Sequence, residues 1–560
     1  MYSLRTFQHL MTAAICGLLS GCGQDSSQPD TSQYWFTDVA PDSGITFKHV
    51  SGASESFFLP EIMGGGVALF DVENDGDLDI YFVQSGGPVD SSERDGNELF
   101  LNDGDGIFSL SNESGLEDPS YGMGPAVGDY DADGLVDVFV TNVGENRLFR
   151  NNGDATFVEV TASANVGTHG FSTAATFGDF NGDGHLDLFV VNYVEWSITT
   201  ERNCYDYGTG SRNYCDPGNY NRPTSDVLFR NNGDGTFSDI SIEAGITTAR
   251  GNGLGVVASD FNGDSKLDIF VANDKSPNHL WVNQGDFTFK NEAFERGAAF
   301  DDHGIAKAGM GVAARDVDQD LDVDIIVVNI QGETDSYYRN DGAYFTDATA
   351  KVGLTRFSRN YTRFGVALFD FDHDGRLDFY EGNGRVTFSV ESETEDPYAE
   401  SNALFEGGAG IRFQFVAPEL VHEQTLIHTS RGVAAGDLDG NGTVDLVVAN
   451  RDAPAYVLLN STTATGPWIA VDLLNRHGAP DLNARLTLET DLGSYQGEVQ
   501  VSGSYLAANS PTVHITFPTT PVIVNANVRW SDATTQNIRL LPVNRRTVIT
   551  QNQRAPESQN

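Results

Sequence analysis

From Tyr34 onward the chain alternates short apolar runs with clusters of glycine, asparagine and aspartate, and the runs come in a repeating set of four. One is a Phe-x-Asp type, as in Phe36-Thr-Asp-Val, Phe157-Val-Glu-Val, Phe237-Ser-Asp-Ile and Phe345-Thr-Asp-Ala. A second is almost wholly apolar, as in Gly65-Gly-Val-Ala-Leu-Phe70 or Gly365-Val-Ala-Leu-Phe369, and a third follows an acidic loop, as in Leu78-Asp-Ile-Tyr-Phe82. The fourth resembles Asn97-Glu-Leu-Phe-Leu-Asn102 or Val227-Leu-Phe-Arg-Asn231 and usually ends in a turn such as Asn232-Gly-Asp-Gly235, where a tight hairpin needs positive φ. Runs of this length and bounding predict strands. Four strands in each of seven units predict an all-β fold, a seven-bladed β-propeller, whose radial closure leaves only short protected sheet edges. A Phe-x-Asp run precedes the first acidic loop, whereas the last unit stops at Ala455–Asn460 without one. The segment Tyr34–Val39 is therefore expected to complete the seventh blade, a donation that an open solenoid does not need. After a linker at Ser461–Gly466, alternating runs from Trp468 to Thr550 predict a small C-terminal β domain. The expected organisation is an export signal at 1–22, a tether at 23–33, the propeller at 34–465, the β domain at 466–550 and a disordered tail at 551–560.

The loops between the second and third runs carry the chemistry. In Asp179-Phe-Asn181-Gly-Asp183-Gly-His-Leu-Asp187, side-chain oxygens stand at positions one, three, five and nine, with glycine at six. Alternate residues of a tight loop point inward, and oxygen-only ligands suit Ca²⁺, which takes six to eight of them at roughly 2.3–2.6 Å. The arrangement recurs at Asp71, Glu73, Asp75 and Asp79; at Asp129, Asp131, Asp133 and Asp137; and at Asp260, Asn262, Asp264 and Asp268. It returns at Asp316, Asp318, Asp320 and Asp324; at Asp370, Asp372, Asp374 and Asp378; and at Asp437, Asp439, Asn441 and Asp445. Seven in-phase copies imply up to seven Ca²⁺ ions in a structural role. Ser265 and Leu321 replace the position-six glycine, so the fourth and fifth sites are expected to be weaker or distorted. Position twelve is apolar in every copy but the sixth, where Glu381 stands, and strands flank the loops, which excludes an EF-hand. With 33 basic against 80 acidic residues and a net charge of −47, the chain offers no basic face to nucleic acid.

Arg5, the apolar stretch Leu10–Leu19 and the tetrapeptide Leu19-Ser20-Gly21-Cys22 predict an export signal. The tetrapeptide resembles the bacterial lipobox, which implies lipidation at Cys22 and, with Gly23 following, delivery to the outer membrane or cell surface. Membrane contact is then expected through the lipid anchor only. The separation of Cys204 and Cys215 suits a disulfide closing a surface loop in an oxidising compartment. They lie in an insertion at Tyr193–Asp226 rich in aromatic residues, Trp196, Tyr205, Tyr207, Tyr214 and Tyr220, which either shields a blade edge or faces a partner.

The repeated Gly-Val-Ala-x-x-Asp-x-Asp/Asn-x-Asp-Gly-x-x-Asp resembles the FG-GAP/VCBS repeats of integrin α-chain propellers and bacterial surface proteins, which implies Ca²⁺ binding at the matching residues given above. The full layout resembles the CRTAC1-like family with its appended ASPIC/UnbV domain, matched here at Trp468–Leu474, Ser502-Gly-Ser-Tyr505 and Val528-Arg-Trp530. It departs from that domain at Pro518 after Phe517 and at Ser531 after Trp530.

No Gly-x-Ser-x-Gly elbow, His-Glu-x-x-His or Cys-x-x-Cys is present, and the compact acid and histidine clusters are Asp301-Asp-His303 and His422-Glu423. No catalytic residue is assigned. The expected function is a monomeric, Ca²⁺-stabilised, non-catalytic binding or adhesion module with an unknown glycan or protein ligand. The alternative is a Ca²⁺-dependent propeller enzyme, a lyase or hydrolase, acting on polysaccharide.

Overall fold

The computed structural model describes residues 34–552 apart from 207, 343, 389–391, 393 and 464. The export signal with Cys22, the tether and nearly all of the tail lie outside the described residues. The described chain is all-β, its few helices no longer than four residues. The first sheet shows the plan: Gly66–Phe70, Asp79–Val83, Glu98–Asn102 and Phe108–Ser111 pair in order and antiparallel, with Val67 opposite Phe82 and Tyr81 opposite Leu99. Its first two strands are buried throughout, whereas only Phe108 of the fourth is. That gradient explains the sequence pattern, since strands covered on both faces read as unbroken apolar runs and outer ones as isolated aromatics among polar residues. The same order of four strands recurs at 121–159, 169–239, 253–291, 309–347 and 363–415. The last sheet takes Ile427–Gly436, Asp445–Arg451 and Tyr456–Asn460 from the late chain and Phe36–Asp38 from its beginning, with Phe36 opposite Asn460.

Successive sheets meet through their first strands. The hydroxyl of Thr141, on the second strand of its sheet, donates to the Thr173 carbonyl at 2.6 Å, that of Thr173 to the Gly253 carbonyl at 2.9 Å, and the amide of Gly432 to the Gly65 carbonyl at 3.0 Å, which returns the last sheet to the first. The approach is close enough to forbid side chains. A Cβ at Gly66 would lie 2.4 Å from the Met123 carbonyl oxygen, one at Gly255 2.4 Å from that of Met310, and one at Gly311 2.1 Å from that of Phe364. The glycine heading each Gly-Val-Ala run is a consequence of this crowding at the centre.

The C-terminal region forms two small sheets. Trp468–Leu474 lies between Val513–Thr516 and Arg545–Thr550, and Arg485–Thr490 between Gly493–Glu498 and Ile523–Arg529, the latter extended by Thr535–Asn537. The strand Gly493–Glu498 ends at Glu498, and Val499 adds two further backbone hydrogen bonds, with Ala484 and Asn483. The chain then leaves its own domain and enters the centre of the circle of sheets. Ala507–Ala508 pairs parallel with Val67–Ala68, Val312 and Ser504 exchange backbone hydrogen bonds, and the Ser504 hydroxyl accepts from the Val366 amide at 2.9 Å. Tyr505, fully buried, reaches through to donate to the Met63 carbonyl at 3.1 Å, its ring 4.7 Å from that of Phe364. The C-terminal region therefore does not sit apart on a linker. Its apolar residues Ile469, Val471 and Leu482 share one core with Val127, Val136 and Phe177 of the second and third sheets.

Candidate metal centres

All seven acidic loops adopt one hydrogen-bonded scaffold. The two oxygens of the position-one aspartate accept the amides of positions five and six: Asp71 from Asp75 and Gly76 at 3.0 and 2.9 Å, Asp260 from Asp264 and Ser265 at 3.1 and 2.8 Å, Asp437 from Asn441 and Gly442 at 3.1 and 2.9 Å. The position-nine aspartate accepts the position-two amide with one oxygen, as Asp187 does from Phe180 at 3.1 Å, and with the other an amide of the third strand, as from Asn231 at 2.8 Å. Both carboxylates are thus fixed by main chain before any ligand arrives. Positions four and six take positive φ, 57° at Asn74 and 104° at Gly76 in the first loop. Ser265 and Leu321 adopt the same conformation, at 73° and 78°, so the fourth and fifth loops keep their shape with local strain in place of the expected distortion.

Position three is different. The oxygens Glu73 Oε2, Asp131 Oδ1 and Asp318 Oδ1 are buried and have no hydrogen-bond partner. In four loops three carboxylates bring oxygens within 4.8 Å of one another: Asp129, Asp131 and Asp137; Asp316, Asp318 and Asp320; Asp370, Asp372 and Asp374; Asp437, Asp439 and Asp445. Burial, with repulsion from loop neighbours, pushes the Asp79, Asp187 and Asp268 carboxyls up to about 8 and those of Asp129, Asp324 and Asp370 up to about 7. Asp137, Asp378 and Asp445 are also raised well above the ordinary carboxylate range, again chiefly by burial. Crowded acids largely held away from water, with bare oxygens among them, fit a hard divalent cation.

A residue that the strand pattern alone does not single out ties the loops together. The asparagine ending the third strand donates its side-chain amide to the position-eight carbonyl of its own loop and to the position-two carbonyl of the preceding loop. Asn231 reaches Leu186 and Tyr130 at 2.9 and 2.7 Å, and Asn283 reaches Leu267 and Phe180 at 3.2 and 2.8 Å. Asn151, Asn340 and Asn460 do the same, and Asn102 bridges from the first loop to Leu438 of the seventh at 2.8 Å. In the sixth sheet Gly407 stands there, because a Cβ would lie 2.3 Å from the Leu377 carbonyl oxygen. The signal was the recurrence of asparagine at that one register.

The C-terminal region rests on this same loop face. Arg546 donates to the Gly76 carbonyl at 2.6 Å, Gln496 to that of Leu321 at 2.6 Å, Thr516 to the Asp370 carboxylate, and a ring nitrogen of His514 lies 2.9 Å from the Gly442 carbonyl. Glu381 turns away from its loop and is buried near the Asp335–Arg363 ion pair of 2.8 Å. Asp301, Asp302 and His303 form an exposed turn, while His422 is buried with its Nε2 3.3 Å from the Tyr380 hydroxyl. Cys204 and Cys215 are joined in a disulfide with a Cα separation of 5.3 Å.

Repeated four-stranded sheets, each with an acidic loop at one end, define a repeat protein with an appended β domain. The FG-GAP-like repeat family matches residues 71–140, 129–190, 218–271, 260–327 and 316–381, and the ASPIC and UnbV family matches 475–556. The chain belongs to the FG-GAP-like repeat family and carries an ASPIC/UnbV domain. It is similar to cartilage acidic protein 1 of Homo sapiens, 27% identical over 295 residues that cover 49% of this chain and 40% of that one. The Xenopus tropicalis protein of the same name is 26% identical over 288 residues, covering 50% and 41%. The match spans about two fifths of the length of these relatives. A solved structure described as recognising non-reducing terminal N-acetylglucosamine, from Agrocybe aegerita, aligns at a TM-score of 0.37 and 15% identity over 73% of this chain and 90% of that one, a likeness too slight to argue from.

Proposed function

We propose that the chain is an exported, non-catalytic binding module: a seven-bladed β-propeller that holds Ca²⁺ in its acidic loops, up to one per loop, and presents its remaining surface to a glycan or protein partner. The observation that carries this reading is the recurrence, at every loop, of a scaffold that fixes the position-one and position-nine carboxylates by main-chain amides, together with the bare position-three oxygens. Ca²⁺ supplies the positive charge that these buried acids lack, and every loop but the sixth then binds its neighbour through an asparagine whose geometry depends on a settled loop. The segment Ser502–Ala508 favours binding over catalysis, because it fills the axial space in which a propeller enzyme would place its reacting groups. Export fits the disulfide and the relatives' printed name, which puts them in cartilage; lipidation at Cys22, a monomeric state and a surface location are parts of the same proposal.

The test is thermal unfolding of residues 24–560 with Ca²⁺, with Mg²⁺ and with chelator, alongside calorimetric counting of bound ions. A Ca²⁺-selective rise in melting temperature with several ions bound supports the reading. Identical curves under all three conditions overturn it.

A further inference from the structure

At the end of the circle of sheets remote from the acidic loops, the structure forms an open cavity of about 630 Å³. Its floor and walls are Met63, Met310 and Phe364 from or beside the first strands, with Tyr193, Tyr214 and Asp274 from the insertion and the fourth sheet. Tyr505, rising through the centre from the C-terminal domain, backs this floor through its contacts with Met63 and Phe364. The mouth lies at the disulfide-bonded hairpin, where Tyr205 is exposed.

The floor is apolar and aromatic, polar residues of the insertion such as Asp206, Asn213 and Asp216 stand towards the mouth, and one buried acid, Asp274, lies among the floor residues. Asp274 is 5% exposed; its Oδ2 accepts the Tyr193 hydroxyl at 2.6 Å, and its Oδ1 has no hydrogen-bond partner. An ionised carboxylate held away from water with an unsatisfied oxygen is unfavourable unless something compensates it. The adjacent cation does so only in part, because Lys275 pairs with Asp216 at 2.9 Å. Arg431 behind Phe364, which donates to the carbonyls of Ile62, Gly384, Ser430 and Arg385, does not. Of the charged groups that line the cavity, three are aspartates, Asp206, Asp216 and Asp274, against Lys275 alone. Tyrosine faces and methionine sulfur favour a cation with an apolar stem, since aromatic rings present negative potential and thioethers are polarisable.

We propose that this cavity is a binding site for an organic cation, an ammonium or guanidinium group on an aliphatic stem, with the head on Asp274 and the stem against Met63, Met310 and Phe364. The site deepens the reading of the chain as a non-catalytic binding module and does not depend on the acidic loops beyond their holding the sheets together. Two sources share this chemistry: a free alkylamine or guanidine, and a lysine or arginine side chain of a partner protein.

The test is calorimetric titration of the Ca²⁺-supplemented full chain with butylguanidinium, with cadaverine, with N-acetyl-lysine N-methylamide and with the neutral isostere 1-pentanol. Saturable binding of at least one cationic probe, tenfold or more tighter than the alcohol and weakened at least tenfold in Asp274→Asn, is the expected result. Binding of the lysine derivative assigns the site to a protein side chain; binding of free amines alone assigns it to a small molecule. Tyr193→Phe, which keeps the ring and removes the hydroxyl from Asp274, serves as a second variant, and melting curves with Ca²⁺ verify that each variant is folded. Equal binding of alcohol and cations, unchanged binding in folded Asp274→Asn, or no binding by any probe overturns the proposal. A chain that fails to respond to Ca²⁺ but still binds the cations sinks the metal reading and leaves the cavity site standing.

Discussion

The two ends of the circle of sheets are built on opposite plans. At the loop end one nine-residue device is repeated, its carboxylates fixed by the same amides and, in all but the sixth sheet, its loops linked by the same asparagine. At the cavity end nothing repeats: the wall comes from a segment before the first sheet and a disulfide-bonded insertion, and a tyrosine from the C-terminal domain backs its floor. Repetition serves stability, because each unit supports its neighbour through equal bonds. Irregularity serves recognition, because a pocket with one buried acid needs residues that occur once.

The largest test of that contrast is removal of divalent ions. One site at a hundredfold ligand excess is worth about 2.7 kcal/mol, or about 3 °C in a chain of this length, so emptying four or more sites by chelation is expected to lower the melting temperature by about 10 °C or more. Calorimetric scans with and without chelator read this directly, and cation binding at the cavity should persist wherever the protein remains folded. Next, Tyr505→Ala removes a fully buried ring and the donor to Met63, with an expected loss of about 3–5 kcal/mol in denaturant unfolding. It is the one substitution expected to damage both ends, since the same segment holds the C-terminal domain to the centre. Asn231→Ala leaves the Leu186 and Tyr130 carbonyls without their donor and should cost about 2–3 kcal/mol, while the cavity's affinity for its probe stays unchanged.

A pH experiment isolates the cavity end. Burial raises the Asp274 carboxyl to about 6 from its ordinary 3.8, with Tyr193 and Lys275 opposing the rise and Asp216 and Glu333 adding to it. The folded state therefore holds this proton more tightly than the unfolded chain does, so its contribution to stability is fully present below about pH 4, falls between about pH 4 and 6, and is flat above. Asp274→Asn should abolish that fall, and stability relative to the parent should improve by about 1–3 kcal/mol between pH 4 and pH 8, read from urea midpoints. The smallest effect is Leu321→Gly, which relieves a positive φ at the fifth loop and should add about 0.5–1 kcal/mol without changing its hydrogen bonds.

The loop end was legible because its chemistry is periodic. Asp, Asn and Gly recur at fixed offsets, and the strands on either side are apolar runs whose length and bounding identify them. The four-strand order and the outer strand Phe36–Asp38 pairing with Tyr456–Asn460 followed from the phase of those runs. Ser265 and Leu321 take the positive φ that their positions demand, yet the expected distortion does not follow, since the amides that hold position six to Asp260 and Asp316 belong to any residue and keep the loop closed. Glu381 was visible in the sequence without a role there, because its neighbours Asp335 and Arg363 lie in another sheet or on another strand.

What the sequence determined by itself was local: which runs become strands, where the turns fall and which oxygens crowd into each loop, all set by residues within about ten positions of one another. The tertiary structure decided what depends on distant segments meeting. Closing the sheets in a circle leaves an axial space, and only there does a chain such as Ser502–Ala508 find unpaired strand edges at Val67 and Val312 to bond with. The cavity has the same origin, for Asp274 and Tyr193 become a binding feature only where Met63, Met310 and Phe364 wall them off from water.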